Sequence, residues 1–207
     1  DVSRIPADGW PPASETWSMV ASLNSSIAVL SQGDVPASWP RIATTKGGGT
    51  RASTDRTRVA LVAALASWFG TADAEASAHL AGMSVLDLFA GSGAVGLEAA
   101  SRGAGPVVLV EHDRPTARLI QDNARATGLV VEVRAVKAEA VALAPGGRLD
   151  LIFLDPPYDL ATDAVESLLG LLAGGAVAER GLVVVGRSSR DRAPAWPDLF
   201  TDTWHRG

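Results

Sequence analysis

The sequence has little that reacts or crosslinks: it contains no cysteine, two methionines and a single tyrosine in 207 residues. The lack of cysteine excludes disulfides, thiolate metal sites and a cysteine nucleophile, and we expect a reducing, cytoplasmic compartment. Charged residues make up only 20% of the chain against 47% hydrophobic residues, which is typical of a packed globular protein. The formal net charge of -5 argues against binding nucleic acid through overall charge, although a local basic patch remains open.

Long hydrophobic runs are also missing. The most apolar stretch of the N-terminal part, residues 18–30, is interrupted by Ser and Asn, follows no basic run and is too short to span a bilayer. We therefore expect no signal peptide and no membrane segment. The three histidines are scattered along the chain, and no cluster of residues predicts a metal site.

The chain divides by composition near residue 50. Residues 1–50 are rich in Pro, Gly, Ser and Trp without a sustained period, so we expect an irregular N-terminal extension. Residues 51–207 are expected to form one domain. It opens with a helix from Ser53 or Thr54 to about Gly70 and a linker over 71–81.

From Met83 onward, short apolar runs alternate with helical patterns, which predicts an α/β fold with a doubly wound, mostly parallel, Rossmann-like sheet. The predicted strands are 84–89, 107–111, 130–134, 149–154 and 181–185. The predicted helices are 94–102, 114–127 with Gly128 as its stop, 137–143 and 161–173.

A glycine loop follows the first predicted strand. Gly91, Gly93 and Gly96 have the spacing G-x-G-x-x-G, and Glu111 ends the next strand, so the pattern alone fits a dinucleotide as well as S-adenosylmethionine. Asp87 favours S-adenosylmethionine, because a carboxylate would repel a pyrophosphate but attract sulfonium and ammonium charges. Glu111 can accept both ribose hydroxyls. The alternatives are that Asp87 caps the turn and Glu111 is a solvated strand end.

The fourth predicted strand ends in Asp155-Pro156-Pro157-Tyr158. In a doubly wound order this strand lies next to the first, so the tetrapeptide should face the methyl donor. An amino nitrogen on an aromatic ring is a poor nucleophile, and two acceptors on its hydrogens can direct its lone pair at a methyl group. The Asp155 carboxylate and the Pro156 carbonyl are the candidate acceptors, the prolines fix the backbone, and Tyr158 can stack on the base. A Pro-Pro turn with a packing tyrosine is the alternative.

At this point the sequence resembles a known family. Residues 85–94 (VLDLFAGSGA) and 98–104 (EAASRGA) resemble the bacterial class I methyltransferases that modify the 2-amino group of a guanine in 16S ribosomal RNA. Residues 50–58 (TRASTDRTR) resemble the segment before the catalytic sheet of that family, except that the family normally has Pro at Ala52, Val at Thr57 and, just beyond this segment, Glu at Val59. The resemblance covers about residues 50–190.

The resemblance implies an S-adenosylmethionine-dependent methyltransferase domain over 51–207, with 16S ribosomal RNA or a small-subunit assembly particle as its partner. It implies that Asp155 to Tyr158 hold the guanine, that Asp87 and the loop hold the methionine end and that Glu111 holds the ribose. Glu139, at the end of the third strand, falls where the family often has an Asp that contacts the adenine amino group; a solvated residue at a helix start is the alternative. His112 is expected to shape the adenine end of the pocket. The implied donor-binding residues are Asp87, Phe89, Ala90, Gly91, Ser92, Gly93, Glu111, His112 and Glu139. Asn123 also matches a family position and is expected to be structural.

The most basic short stretch contains Arg51, Arg56 and Arg58. These side chains are candidates for phosphate contacts, or they form the solvated side of a helix. Arg187, Arg190 and Arg192 form a second basic group that can line the same rim. Residues 1–46, with four acids and three bases, do not match the basic N-terminal hairpin that is usual in the family. We expect a monomer.

Two other functions remain open. The same chemistry can serve an adenine in DNA or a glutamine side chain, although proteins that methylate glutamine usually have Asn where Asp155 stands. A non-catalytic module that binds S-adenosylmethionine belongs to a different class, and donor binding without turnover would favour it.

Overall fold

A computed structural model of the protein describes residues 61–63, 65–157, 159–186 and 191–198. The described part of the domain contains five strands, β1 to β5, in one sheet. Their bounds are β1 Val85–Asp87, β2 Val107–Val110, β3 Glu132–Arg134, β4 Leu149–Leu154 and β5 Val177–Val185. The predicted bounds of β4 are confirmed, those of β2 differ by one residue, and β1 and β3 are shorter than predicted.

The sheet is parallel, with the strand order β3-β2-β1-β4-β5. The order reverses at β1, which pairs with β2 on one side and with β4 on the other. In open α/β sheets, ligands bind beyond the carboxyl ends of the strands at such a reversal. The predicted adjacency of the first and fourth strands is confirmed, and it brings the two sequence motifs to one place.

Within the described residues, five α-helical segments flank the sheet. The first, α1, is helical over 61–63 and 65–69 and is followed by Gly70. Its predicted start at Ser53 or Thr54 lies outside the described residues. The others are α2 Ala94–Ser101, α3 Arg114–Thr127, α4 Ala138–Leu143 and α5 Thr162–Ala173. Among the described helices, none is both long and apolar enough to cross a membrane.

Helix α3 shows why the local sequence predicts its ends so well. The Asp113 side chain accepts a hydrogen bond from the Thr116 amide at 2.9 Å, and Pro115 stands in the first turn, where no amide donor is needed. Gly128 ends the helix in the left-handed conformation, with φ 68°. Both end signals are local, so the bounds predicted for this helix are confirmed.

Apolar side chains cover both faces of the sheet. One layer packs α4 and α5 on alternate strand residues such as Leu86, Ile152 and Leu154. The other packs α1, α2 and α3 on the residues between them, including Val85, Leu109 and Phe153. Strands that are buried on both faces read as continuous apolar runs, which is why the pattern predicted this fold class.

Two regions differ from the expectations. The predicted linker over 71–81 contains a short 3-10 helix, Ala76–Ala78, and Leu80, which is fully buried. The Leu80 amide donates to the Arg102 carbonyl at 2.8 Å, so this connection packs against the end of α2. Strand β5 begins four residues earlier than predicted. Its first residues pair with β4, and the register of this pairing shifts between Leu149 and Leu151, so the start of β5 depends on β4.

Candidate active site

Three carboxylates meet at the carboxyl edge of the sheet. Asp87 is the last residue of β1 and pairs in register with Leu109 of β2 and Phe153 of β4. Glu111 follows β2 and Asp155 follows β4, each two residues beyond its register partner of Asp87. The fold therefore brings together acids that are separated by 24 and 44 residues in the sequence.

Asp87 is buried, with 3% of its surface exposed. The Phe89 amide donates to its Oδ1 at 3.3 Å. Asp87 therefore accepts a hydrogen bond from the turn, as expected if it caps the turn. Burial raises the pKa of Asp87 to about 7, since the hydrogen bond from Phe89 offsets burial only in part and the charges of Asp155 and Glu111 add to the rise. A cation beside this carboxylate would relieve the cost of its charge.

The glycine loop connects β1 to α2. Gly93 stands at the N-cap of α2 with φ 83°, a conformation that glycine adopts without strain, and its amide donates to the Ala90 carbonyl at 2.7 Å. A Cβ at Gly96 would overlap Leu109 on β2, so only glycine permits this close packing of helix on sheet. The loop thus turns the amino end of α2 toward the carboxyl edge, where helix amides favour a carboxylate.

Glu111 joins the loop to the end of β2. Its Oε2 accepts from the Gly91 amide at 3.1 Å, and its Oε1 accepts from the Asp113 amide at 2.8 Å and lies 3.2 Å from Nδ1 of His112. Only 11% of the Glu111 side chain is exposed, so the alternative of a solvated strand end is wrong. A carboxylate oxygen can accept more than one hydrogen bond, so the predicted ribose contact is compatible with these bonds.

His112 and Glu139, the two residues predicted at the adenine end of the pocket, lie on different elements. The His112 side chain is 73% exposed and lies beside Glu111. Glu139 lies in the first turn of α4, five residues beyond the end of β3, and is exposed. The placement at the end of the third strand is therefore wrong, and Glu139 is an exposed residue at a helix start, as in the alternative, because β3 stops at Arg134 and a short connection leads into α4.

The acceptor motif leaves β4 at the same edge. Pro156 is buried, Pro157 is exposed, and the Pro157 carbonyl accepts from the Leu160 amide at 3.0 Å, which closes the turn before α5. Asp155 is exposed as a residue, yet its carboxyl group is sufficiently enclosed for desolvation to raise its pKa. Tyr158 lies outside the described residues.

Asn123 supports the loop from the opposite side. This α3 residue is 6% exposed, and its Nδ2 donates to the Ser92 carbonyl at 3.2 Å. The expectation of a structural role is confirmed, and the contact shows what the residue holds in place. Gly186, which lies against Asp155, was missed because no sequence signal marks a glycine that follows a strand.

The predicted RNA contacts lie mostly outside the described residues, including Arg51, Arg56 and Arg58, as well as Arg187 and Arg190. Of the second basic group, Arg192 lies within the described residues. Its Nη2 donates to Asp163 Oδ1 at 2.8 Å and its Nη1 to Glu166 Oε1 at 2.5 Å, so acids of α5 engage this guanidinium. The hydrogen bond from Arg192 lowers the pKa of Glu166 to about 2.

Comparison with known proteins identifies relatives over most of the chain. The sequence model of a family described as Conserved hypothetical protein 95 matches residues 39–206. The Ribosomal RNA small subunit methyltransferase D of Escherichia coli strain K12 is 32% identical over 152 residues, covering 72% of this chain and 70% of that protein.

Solved structures agree with the fold. A hypothetical protein of Thermus thermophilus superposes with a TM-score of 0.59 at 36% identity, covering 74% of this chain and 84% of the other. A conserved hypothetical protein of Streptococcus pyogenes gives a TM-score of 0.51 at 37% identity, covering 55% and 72% of the two chains.

Proposed function

Because the chain belongs to the family described as Conserved hypothetical protein 95, we propose that it transfers a methyl group from S-adenosylmethionine to the 2-amino group of a guanine in 16S ribosomal RNA. The observation that carries the proposal is the pair of acids at adjacent strand ends, Asp87 at the end of β1 and Asp155 after β4, with the glycine loop following Asp87 into α2. The name of the Escherichia coli relative supports ribosomal RNA of the small subunit as the substrate class.

The donor side of the site fits a positively charged cofactor. Asp87 is buried and, within the described part of the chain, forms no ion pair, so its negative charge is unfavourable until a cation arrives. The first turn of α2 can hold the carboxylate of the methionine part, while Glu111 accepts from the ribose hydroxyls. When bound, S-adenosylmethionine supplies an activated methyl group; the loop and the two acids fix its position.

The acceptor side fits an amino nitrogen. Asp155 accepts a hydrogen bond from the guanine amino group, and the Pro156 carbonyl can accept a second, which keeps the nitrogen lone pair directed at the methyl carbon. A guanine inside a helix cannot reach this position, so the base must be turned out of its stack.

The proton balance of the step follows from the same residues. Bound S-adenosylmethionine would supply the methyl group and would leave as the neutral thioether S-adenosylhomocysteine, while the methylated amino group would give its proton to Asp155 or to water. Desolvation raises the pKa of Asp155, which makes this carboxylate a better proton acceptor than a fully solvated one. The residues proposed for the two halves of the reaction are Asp87, Phe89, Ala90, Gly91, Ser92, Gly93, Glu111, His112 and Glu139 for the donor and Asp155, Pro156, Pro157 and Tyr158 for the guanine.

Calorimetry tests the donor assignment. We expect the protein to bind S-adenosylmethionine and S-adenosylhomocysteine but not NAD, because a pyrophosphate would lie near the Asp87 carboxylate. Binding of NAD without binding of the methyl donor would contradict the proposal.

Methyl transfer tests the acceptor assignment. The chain is incubated with labelled donor and with RNA or small-subunit particles from a strain that lacks the modification, and the labelled nucleotide is mapped. We expect label in a guanine of 16S ribosomal RNA and a loss of about 100- to 10,000-fold in Asp155→Ala. Asp159→Ala is the matched control, because Asp159 is an exposed acid in the same connection.

Three results would overturn the assignment in different ways. Label in DNA adenine would replace the substrate but keep the chemistry. Donor binding without transfer to RNA or DNA would indicate a non-catalytic module. Equal activity in Asp155→Ala and Asp159→Ala would show that Asp155 takes no part in the reaction.

A further inference from the structure

Gly186 lies at the carboxyl edge directly beside the acceptor motif. It follows β5, is buried, and donates its amide hydrogen to the Leu154 carbonyl at 2.7 Å. Since Leu154 pairs with Val185, this bond extends the β4–β5 ladder by one step. The backbone of Gly186 is thereby fixed next to Asp155.

The space that a side chain would need at Gly186 is filled by Asp155. A Cβ at this position would overlap Oδ1 of Asp155 and would lie 3.1 Å from its Cγ and 3.5 Å from its Cα. The backbone of Gly186 does not adopt the left-handed conformation, so alanine can take the same φ. Glycine is required here by the Asp155 carboxylate and not by the turn.

We propose that Gly186 is a positioning residue for methyl transfer: its missing side chain leaves the space in which the Asp155 carboxylate lies, and so sets the direction from which that carboxylate meets the amino group. This inference rests on the proposed function, because it assigns Asp155 to the acceptor.

The consequence of adding one methyl group can be derived from the contacts. The first atom to be displaced is a carboxylate oxygen at the free end of a side chain, which moves by rotating about its own bonds. The fold therefore changes little, but the acceptor oxygen turns away from its place. A displacement of about 1 Å in a reacting geometry can cost on the order of 100-fold in rate.

The first experiment is a kinetic comparison of Gly186→Ala with Gly170→Ala. We expect Gly186→Ala to lower kcat by about 10- to 100-fold and to leave the affinity for S-adenosylmethionine and the melting temperature close to those of the wild type. Gly170 lies on the exposed face of α5 with nothing within 4 Å of a Cβ, so Gly170→Ala should leave kcat unchanged. Unchanged kcat in Gly186→Ala would overturn the inference.

A double-mutant cycle separates positioning from a general structural effect. In an Asp155→Ala background no carboxylate remains to be displaced, so Gly186→Ala should have no further effect on the residual rate. A loss that multiplies with that of Asp155→Ala would show that Gly186 acts through another route and would contradict the proposal.

A crystal structure of Gly186→Ala separates the failure of this inference from the failure of the proposed function. We expect the Asp155 side chain in a different rotamer with the β4–β5 ladder intact. If the wild type transfers no methyl group, the proposed function is wrong, and the inference about Gly186 is then decided by this rotamer alone. An Asp155 carboxylate that keeps its place in the variant would overturn the inference whatever the activity.

Discussion

The two ends of the parallel sheet differ in how well their carboxylates are hydrogen-bonded. At the amino end, the Oδ2 of Asp150 accepts from the Ser84 amide at 2.9 Å and from its hydroxyl at 2.7 Å, and the Asp150 amide donates to that hydroxyl at 3.1 Å. At the carboxyl end, the one donor to Asp87 among the described residues is the Phe89 amide, and the charges of Asp155 and Glu111 oppose its ionisation. Asp150 links β4 to the residue that precedes β1 through these hydrogen bonds, whereas the charged form of Asp87 is unfavourable in its buried place.

From this difference we infer that the carboxyl end of the sheet binds the ligand. A buried carboxylate without a cation among the described residues costs stability when it is charged, so we infer that a cation arrives with a substrate or cofactor. A carboxylate with good donors contributes to folding and requires nothing further. Substitutions at the two ends should therefore have opposite effects.

The largest effect is expected at Asp87. Asp87→Asn removes the buried charge, so at pH 8 it should raise the free energy of unfolding by up to about 4 kcal/mol, the equivalent of the raised pKa at about 1.4 kcal/mol for each pH unit. The folded pKa of about 7 lies above the ordinary value of 3.8, so the wild type loses stability as the pH rises from about 4 to 7. Denaturant unfolding at pH 4 and pH 8 measures the free energy of unfolding of the wild type and of Asp87→Asn. If the difference between the two proteins does not grow with pH, the prediction is wrong.

The same carboxyl group should govern donor affinity. Only its ionised form attracts the sulfonium, so the affinity for S-adenosylmethionine should rise as the pH increases through about 7 and then level off. Asp87→Asn should bind weakly with little dependence on pH between 6 and 8. Calorimetry at three pH values is sufficient, and an unchanged pH profile in the variant would exclude Asp87 as the titrating group.

A smaller effect of the opposite sign is expected at the amino end. Asp150→Ala leaves the Ser84 amide and hydroxyl without their acceptor, which should cost about 1 to 3 kcal/mol of unfolding free energy. The rate of methyl transfer per folded molecule should not change, because Asp150 lies at the far end of β4. Asp73→Ala, at an exposed position, is the control for removing an acid. A loss of turnover in Asp150→Ala would contradict the prediction that acids at the amino end of the sheet affect stability but not methyl transfer.

The smallest effect concerns the contact of Arg192 and Glu166, which holds residues 191–198 on α5. Glu166 also accepts from the Ala195 amide at 2.6 Å, and Trp196 packs against the core layer under α5. Arg192→Ala should shift the indole NMR signal of Trp196 at pH 7 without lowering the melting temperature measurably.

The pH dependence of this contact has a definite sign. The lowered pKa of Glu166, about 2, means that the contribution of its charge is complete above about pH 4.5 and is lost as the pH falls toward 2. The Trp196 signals of the wild type and the variant should therefore converge in acid. Arg125→Ala, which removes an exposed ion pair with Asp122 on α3, should leave the Trp196 signal in place.

Much of the fold follows from the sequence because its signals are local. The strands are apolar runs, Asp113 and Gly128 mark the ends of α3, and the glycine spacing marks the turn into α2. Where the signal is not local, prediction fails. The burial of Leu80 depends on the end of α2, and the early start of β5 depends on β4. Arg192 could be recognised as a cation, but its pairing with Glu166 spans 26 residues.

The sequence by itself determined the chemistry available to this protein: an acid-led glycine loop, a second acid before two prolines, and the order of helices and strands that places both at one edge. Only the tertiary structure decided how those groups behave. Burial raises the pKa of Asp87, and the Gly91 amide donates a hydrogen bond to Glu111. The backbone of Gly186 lies against the carboxylate of Asp155. The physical reason is that residue type and spacing are properties of the chain, whereas desolvation and close contact arise between segments that meet only in the fold.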